Sequence, residues 1–314
     1  MPALPTYLVV RPPTIADVQA IFTLWAASDL AEIGEVDCEE GDIVEDLTRP
    51  RLDLERDYWV VADSERLVGA ASVLDRISAE VADGDLVADP DADPAVGPHL
   101  LELLERRAAE QAAAAGRASL LVTVHCTTTN TRRMDELSTA GYTGVRRFSR
   151  MVADLDDVPP RAGGGVRPAS GPADRPAMHA VMTASFADHF GSTPEPYDAW
   201  WARQSGRSGF DESLWWLAEA DGAAVGALIG RNMAEQGWVQ GLGVLPAYRG
   251  RGLARRLLLA SFEEFRRRGY TRVALRVDTG NETGALRLYE SVGMRPAQQH
   301  DVWQRMVPAG TGPT

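Results

Sequence analysis

The sequence contains no lysine, and all 32 basic residues among its 314 are arginine. A chain without lysine can form neither a lysine Schiff base nor a Walker-type phosphate loop, so both chemistries are excluded. Cysteine is scarce as well. Cys38 and Cys126 lie far apart, and neither has the cysteine or histidine spacing of a zinc site. We therefore expect neither a disulfide framework nor a metal centre.

Positive charge and long apolar segments are also in short supply. The net charge is -13, and such a surplus of carboxylates repels the phosphates of nucleic acids. The sequence has no apolar run of about 18 residues and no basic segment at its start, which would mark a membrane span or a secretory signal. It predicts a cytoplasmic protein, monomer or homodimer, without nucleic-acid or membrane partners.

What the sequence does have is an internal repeat. Segment 58–62 recurs as 215–219 at an offset of 157 residues, and the Val-Arg-Pro triplet at 10–12 recurs at 166–168. Such self-similarity indicates a repeated structural unit. Prolines and glycines between the copies interrupt regular structure. We predict four segments: a domain over 1–155, a linker over 156–165, a domain over 166–308 and a tail over 309–314.

The second copy predicts strands that are first antiparallel and then interleaved with helices. Asp221-Gly222 is a favoured hairpin turn, and apolar residues from Leu253 to Phe265 recur at helical spacing until Gly269. The predicted elements are a helix over 176–187, strands over 215–219, 224–230, 238–244 and 273–277, the helix from 253, and a shorter helix ending at Gly293. This order is typical of an α/β (α+β) domain with a mixed sheet flanked by helices.

A glycine-rich turn joins a predicted strand to the long helix. It reads Arg249-Gly250-Arg251-Gly252-Leu253-Ala254. The first amides of a helix have no intrahelical acceptor, so with two arginines nearby they form an anion site. A basic surface turn that merely begins a helix is the alternative. A dinucleotide fingerprint is excluded because Pro246 stands where its third glycine should be.

This turn resembles the pyrophosphate loop of the GNAT superfamily of N-acetyltransferases. A second match follows, with Asn281 after a strand and then the segment 285–294. The resemblance covers 166–307 and extends, much weakened, over the first half. It implies two tandem GNAT-like domains, each with a central mixed, mostly antiparallel sheet, and an enzyme that uses acetyl-CoA to acetylate a small-molecule amine.

The resemblance also implies roles for individual residues. Backbone groups of Leu242 and Val244 would pair with the pantetheine arm, and Asn281 would contact the arm from the other side. Tyr289 would lie near the sulfur and protonate the leaving thiolate, although core packing is its alternative role. The Val244 amide would stabilise the oxyanion. The implied coenzyme-binding residues are Leu242, Gly243, Val244, Arg249, Gly250, Arg251, Gly252, Leu253, Ala254, Asn281 and Tyr289.

The general base is not identified by the sequence. Many family members carry a glutamate on the strand before the loop, and Gln240 occupies the matching position here. An amide cannot accept a proton, so the candidates are Glu235, Asp278 and His300. An acceptor amine of low pKa would need no base.

The first half lacks the phosphate loop. At the offset of 157, the loop residues 249–252 map onto Ala92-Asp93-Pro94-Ala95, where a proline removes a donor and carboxylates repel phosphate. We therefore predict that only the second half binds coenzyme. This organisation resembles that of mycothiol synthases, a branch of the family that acetylates a cysteinyl amine. The sequence is also compatible with a protein-amine acetyltransferase and with a non-catalytic acyl-CoA sensor.

Overall fold

A computed structural model describes the chain over residues 4–64, 66–76, 80–161, 163–187, 189, 192, 194–233, 236–280 and 284–310. The chain divides into two compact units. Unit 1 comprises Met1–Arg147 and His300–Thr314, and unit 2 comprises Phe148–Gln299. None of the helices in the described ranges has the length and apolar character needed to cross a bilayer.

Unit 1 packs helices against a mixed sheet. Its elements are β1 (Leu8–Arg11), α1 (Val18–Ile33), α2 (Glu40–Leu47), α3 (Leu54–Asp57), β2 (Tyr58–Asp63), β3 (Arg66–Arg76), β4 (Val81–Ala88), α4 (Val96–Ala114), β5 (Ser119–Thr127), α5 (Thr131–Thr139), the start of β6 (Thr143–Asp154) and the end of β12 (Arg295–Pro308). The sheet order is β1-β2-β3-β4-β5-β12. Strands β4 and β5 are parallel, and the other neighbours are antiparallel.

Unit 2 repeats this plan. Its elements are the end of β6, β7 (Val166–Pro168), α6 (Arg175–Phe186), α7 (Tyr197–Ser205), β8 (Trp216–Ala220), β9 (Ala223–Asn232), β10 (Gly237–Val244), α8 (Leu253–Arg267), β11 (Arg272–Asp278), α9 (Ala285–Ser291) and the start of β12. The sheet order is β6-β11-β10-β9-β8-β7, with β10 and β11 parallel. The predicted class, two repeated mixed sheets flanked by helices, is confirmed.

The local sequence explains the elements of unit 2. The β8–β9 hairpin turns at Asp221 and Gly222, which have φ of 53° and 77°, as a tight Asp-Gly turn requires. Helix α8 buries its predicted apolar face, and each such side chain contributes about 1.5–3 kcal/mol. These buried side chains are Leu253, Leu257, Leu258, Phe262 and Phe265.

Helices cover both faces of the unit 2 sheet. Ala227 and Ile229 of β9 pack with Met178 of α6, whereas Leu228 packs with Leu257 of α8. Because successive side chains of a strand point to opposite faces, α6 and α8 lie on opposite sides of β9.

Each unit completes its sheet with a strand from the other half of the sequence. Residues 148–154 of β6 pair antiparallel with β11 in unit 2, and residues 300–308 of β12 pair antiparallel with β5 in unit 1. The compact units therefore differ from the expected segments 1–155 and 166–308. An apolar alternation indicates which face of a strand is buried, but it does not identify the neighbouring strand.

Candidate active site

Strands β10 and β11 separate partway along their length. They pair from Gly237 with Val273 to Val239 with Leu275. A bulge follows between Val239 and Gly241, and β10 then continues to Val244 against β9. Because a bulge bends the strand that carries it, β10 diverges from its parallel neighbour and opens a gap.

The far edge of β10 presents backbone groups to this gap. The amide of Leu245 donates to the carbonyl of Val225 on β9 (2.9 Å). In an antiparallel pair, alternate residues direct their N–H and C=O groups to opposite sides. Val244 and Leu242 therefore direct theirs away from β9 and into the gap, where an extended ligand can pair with them as an added strand would.

A cavity of about 420 Å³ occupies the gap, and we call it the gap cavity. It brings together most of the residues that the sequence predicted. Those that line it are Leu242, Gly243, Val244, Arg249, Gly250, Gly252, Leu253, Ala254 and Tyr289. Nine of the eleven predicted coenzyme-binding residues thus line one cavity of unit 2.

The turn before α8 leaves several amide donors free. Gly250 and Gly252 have φ of 75° and 74°, and a Cβ at either position would meet nothing within 4 Å. These glycines are thus needed for their left-handed backbone. The amide of Arg256 donates to the carbonyl of Gly252 (3.1 Å) as the first bond of the helix. The amides of Leu253 to Arg255 have no intrahelical acceptor and lie at the positive end of the helix dipole.

The arginines of the turn have different positions. Arg249 holds the turn in place, because its guanidinium donates to the carbonyls of Val244 (3.1 Å) and Ser185 (3.4 Å). The guanidinium of Arg251 lies over the ring of Tyr248, 4.9 Å from its centre, and outside the cavity lining. Positive charge in the cavity wall comes also from Arg255 and Arg276.

Sequence reasoning missed some of the lining residues. Arg255 could have been found, since it lies in the first turn of the predicted helix. Phe148 also lines the gap cavity, but it belongs to the first half of the sequence. It reaches unit 2 only through the strand exchange, for which the sequence holds no local signal.

Close packing of α6 on β10 places a hydroxyl in the cavity wall. A Cβ at Gly241 would lie 2.6 Å from Cε of Met182, and one at Gly243 would lie 2.7 Å from Cβ of Ser185. Ser185 lines the gap cavity, and within the described chain its buried Oγ has no hydrogen-bond partner. A buried hydroxyl without a partner is unfavourable, so this wall suits a ligand that carries polar groups.

Tyr289 is both a core residue and a cavity residue. It packs in the main hydrophobic cluster of unit 2 and is 8% exposed. Burial raises the pKa of its phenol to about 12. The hydroxyl therefore stays protonated at neutral pH and can donate a proton.

The candidate bases, Gln240 and Asn281 do not all lie at the gap cavity. Gln240 and Asp278 line the gap cavity, and Asp278 Oδ1 accepts a hydrogen bond from the amide of Gly280 (2.9 Å). His300 lies in unit 1, paired with Thr127 of β5. Asn281 and Glu235 are outside the described residues. No group of three or more potential metal ligands occurs in the described ranges.

A second cavity of about 270 Å³ adjoins the first, and we call it the side cavity. Phe186, Gln240 and Gly241 line both. Glu195 and Arg203 form an ion pair in the side cavity (2.7 Å). The side cavity therefore has an ion pair in its wall and meets the gap cavity at Phe186, Gln240 and Gly241.

The tryptophans near the side cavity are mainly core residues. Trp200 contributes to the lining of the side cavity, but it is only 4% exposed and its ring lies 5.7 Å from that of Trp215. Trp201 lies under the guanidinium of Arg175, which is 3.8 Å from the ring centre.

This chain is similar in sequence to known acetyltransferases. Residues 176–294 match the Acetyltransferase (GNAT) family. A mycothiol acetyltransferase of Thermobispora bispora is 36% identical over 132 residues, which cover 38% of this chain and 42% of that protein. A mycothiol acetyltransferase of Tsukamurella paurometabola is 32% identical over 180 residues, which cover 51% and 59%. The chain thus spans about half the length of these relatives.

Two solved structures are similar over nearly the whole chain. A GCN5-related N-acetyltransferase from Sphaerobacter thermophilus has a TM-score of 0.84 and 28% identity over 98% of both chains. A tandem GNAT protein from the clavulanic acid biosynthesis pathway has a TM-score of 0.70 and 17% identity over 98% of this chain and 99% of that one. Residues 176–294 therefore form an acetyltransferase domain of the GNAT family, in a chain with the fold of tandem GNAT proteins.

Proposed function

We propose that unit 2 transfers an acetyl group from acetyl-CoA to a primary amine of a small molecule, by direct attack of the amine on the thioester. The observation that carries this proposal is the gap cavity. It combines the outward backbone groups of Leu242 and Val244, the free amides at the start of α8 and the buried phenol of Tyr289.

The residues present suit the coenzyme. Amides from Arg249 to Ala254 would hold the diphosphate, with Arg255 adding charge in the same wall. The amide-bearing arm would pair with Leu242 and Val244 along the edge of β10. The contact of Asn281 with the arm is supported by the sequence resemblance alone.

The chemistry requires one bond to form and one to break. The nitrogen of the amine bonds to the carbonyl carbon while the bond from carbon to sulfur breaks. The Val244 amide points into the gap and would stabilise the developing oxyanion. The protonated phenol of Tyr289 would supply the proton that the leaving thiolate takes up.

The side cavity favours a small acceptor. Its volume of about 270 Å³ is near the lower limit for small-molecule sites. The curated relatives are mycothiol acetyltransferases, so acetylation of a cysteinyl amine is the second candidate.

Calorimetry of the full chain with acetyl-CoA, followed by acetylation assays, tests the proposal. We expect one coenzyme per chain and transfer to small primary amines, with cysteine amides included in the panel and products detected by mass. Binding without transfer to any amine would identify a sensor. Transfer to peptide amines alone would identify a protein acetyltransferase, and absence of coenzyme binding would overturn the proposal.

A further inference from the structure

The two cavities of unit 2 meet at a few residues. Phe186, Gln240 and Gly241 line both the gap cavity and the side cavity. If the proposed function holds, the thioester lies in the gap cavity and the amine enters from the side cavity. The new bond between nitrogen and carbon then forms beside these residues.

A proton acceptor is needed at this junction, and Gln240 cannot serve. Its side-chain amide has no basic atom. Glu195 of the side cavity is engaged by Arg203, whose guanidinium contacts both carboxylate oxygens, at 2.7 Å and 3.2 Å. Among the described residues that line the gap cavity, His189 and Asp278 carry an imidazole and a carboxyl group, the side-chain types that act as general bases.

His189 lies next to the junction. Its backbone amide donates to the carbonyl of Phe186 (2.9 Å), and the two rings are 4.4 Å apart between centroids. Phe186 lines both cavities, so the half-buried imidazole lies against the wall that they share. Asp278 lies on β11 and, like His189, lines the gap cavity and not the side cavity.

The repeat allows His189 to be compared with the matching position of unit 1. Glu32 precedes His189 by the repeat offset of 157, as Ser28 precedes Ser185. In unit 1, Glu32 lies in the last turn of α1 and accepts hydrogen bonds from Thr127, the last residue of β5, and from Asn130 (2.7 Å). Glu32 therefore reaches across the gap of unit 1 from within α1, whereas His189 lies three residues beyond the end of α6.

We propose that His189 is the general base of the acetyl transfer. Its imidazole takes the proton that the amine loses as nitrogen bonds to the carbonyl carbon. The sulfur leaves with the electron pair of its broken bond and receives the proton of Tyr289. Solvent then removes the proton from His189 and returns one to Tyr289, so the step balances. Imidazole suits this role because its ordinary pKa is near neutrality.

The test compares His189→Gln with wild type in the full chain, using benzylamines and anilines as acceptors. Benzylamines are strongly basic and must lose a proton, whereas anilines are neutral at the assay pH and lose theirs readily after attack. We expect kcat/KM to fall about 10²-fold for benzylamines and by less than about threefold for anilines. The Kd of acetyl-CoA should be unchanged, which also shows that the variant folds. Added imidazole should restore transfer by His189→Ala.

The rival base supplies the matched control. Asp278→Asn should lower kcat/KM equally for both acceptor classes or leave it unchanged. The proposal is overturned if His189→Gln affects both classes alike, or if Asp278→Asn shows the class-dependent loss instead. Failure of the wild type to bind acetyl-CoA or to acetylate any amine would overturn the proposed function and this inference together. A His189→Gln variant with the wild-type kcat/KM for both acceptor classes would overturn the inference alone.

Discussion

The same gap occurs in both units, but only unit 2 leaves it open. In unit 1 the parallel strands β4 and β5 pair from Val81 with Leu121 to Gly84 with Val124, and β4 then continues to Ala88 against β3. A cavity of about 220 Å³ remains there, about half the volume of the gap cavity. In each unit, the two parallel strands therefore separate at equivalent places.

Side chains of unit 1 fill the space where unit 2 would hold a ligand. Arg133 of α5 is 6% exposed, pairs with Glu136 (2.9 Å) and donates to the carbonyl of Leu86 (3.4 Å). Leu86 has the place of Leu242 in the hydrogen-bonding pattern, because the amide of Asp89 donates to Val68 as that of Leu245 does to Val225. An internal guanidinium thus occupies a backbone acceptor that the arm would use.

The start of α4 is likewise satisfied internally. Carboxylates of Asp89 and Asp93 accept hydrogen bonds from the amides of Asp91 (2.9 Å) and Ala95 (2.9 Å). The positions of unit 2 that match Asp89 and Asp93 are Pro246 and Gly250, which carry no carboxylate. Unit 1 therefore keeps the fold while its own carboxylates and guanidinium replace the groups of a ligand, so we expect it to bind no coenzyme.

The largest expected effect comes from giving unit 2 the carboxylate that unit 1 has. In Gly250→Asp, the position that matches Asp93, the carboxylate would take the free amides and repel the diphosphate, so we expect the Kd of acetyl-CoA to rise about 10³-fold, or about 4 kcal/mol. Calorimetry measures it. Gly34 of unit 1 has the same left-handed backbone (φ 77°) and open surroundings, so Gly34→Asp carries equal strain and should leave Kd unchanged. Equal loss in both variants would refute the assigned loop.

A smaller effect is expected from Tyr289→Phe. Loss of the phenolic proton should lower kcat about 10²-fold and change the Kd of acetyl-CoA by less than about twofold, because the ring still packs. Steady-state rates and calorimetry separate the two effects. Tyr142 is a comparably buried tyrosine of unit 1, and Tyr142→Phe should leave kcat unchanged. An unaltered rate in Tyr289→Phe would reject its role.

The smallest effect concerns the side chains that fill the gap of unit 1. Arg133→Ala leaves Glu136 with Arg132 alone (3.2 Å), so we expect a loss of about 2 kcal/mol in the free energy of unfolding. The double variant Arg133→Ala, Glu136→Leu introduces the residues that unit 2 has at these positions, Ala285 and Leu288, and should recover most of it. Denaturant titration measures both. A double variant as unstable as the single one would contradict this account.

Much of unit 2 was predictable because its signals are local. The Asp221-Gly222 turn, the apolar face of α8 and the glycines before it each depend on residues within a few positions of one another. The free amides follow from the same local pattern, since any helix start leaves them unpaired.

The remainder depends on distant residues. Phe148 reaches the gap cavity through strand pairing across the sequence, and His189 joins the cavity lining just beyond the end of α6. The roles of Gly241 and Gly243 in admitting Met182 and Ser185 also required the tertiary structure. Arg133 fills the gap of unit 1, and Ala285 at the matching position leaves the gap of unit 2 open, but this difference is not visible in the sequence alone.

The exchanged strands have a consequence for biosynthesis. Because residues 300–308 complete the sheet of unit 1, that sheet cannot be completed before those residues have been synthesised. Pairing between strands so distant in the sequence slows folding. Cleaving the polypeptide between its repeats would give two fragments, each of which lacks one strand of its sheet.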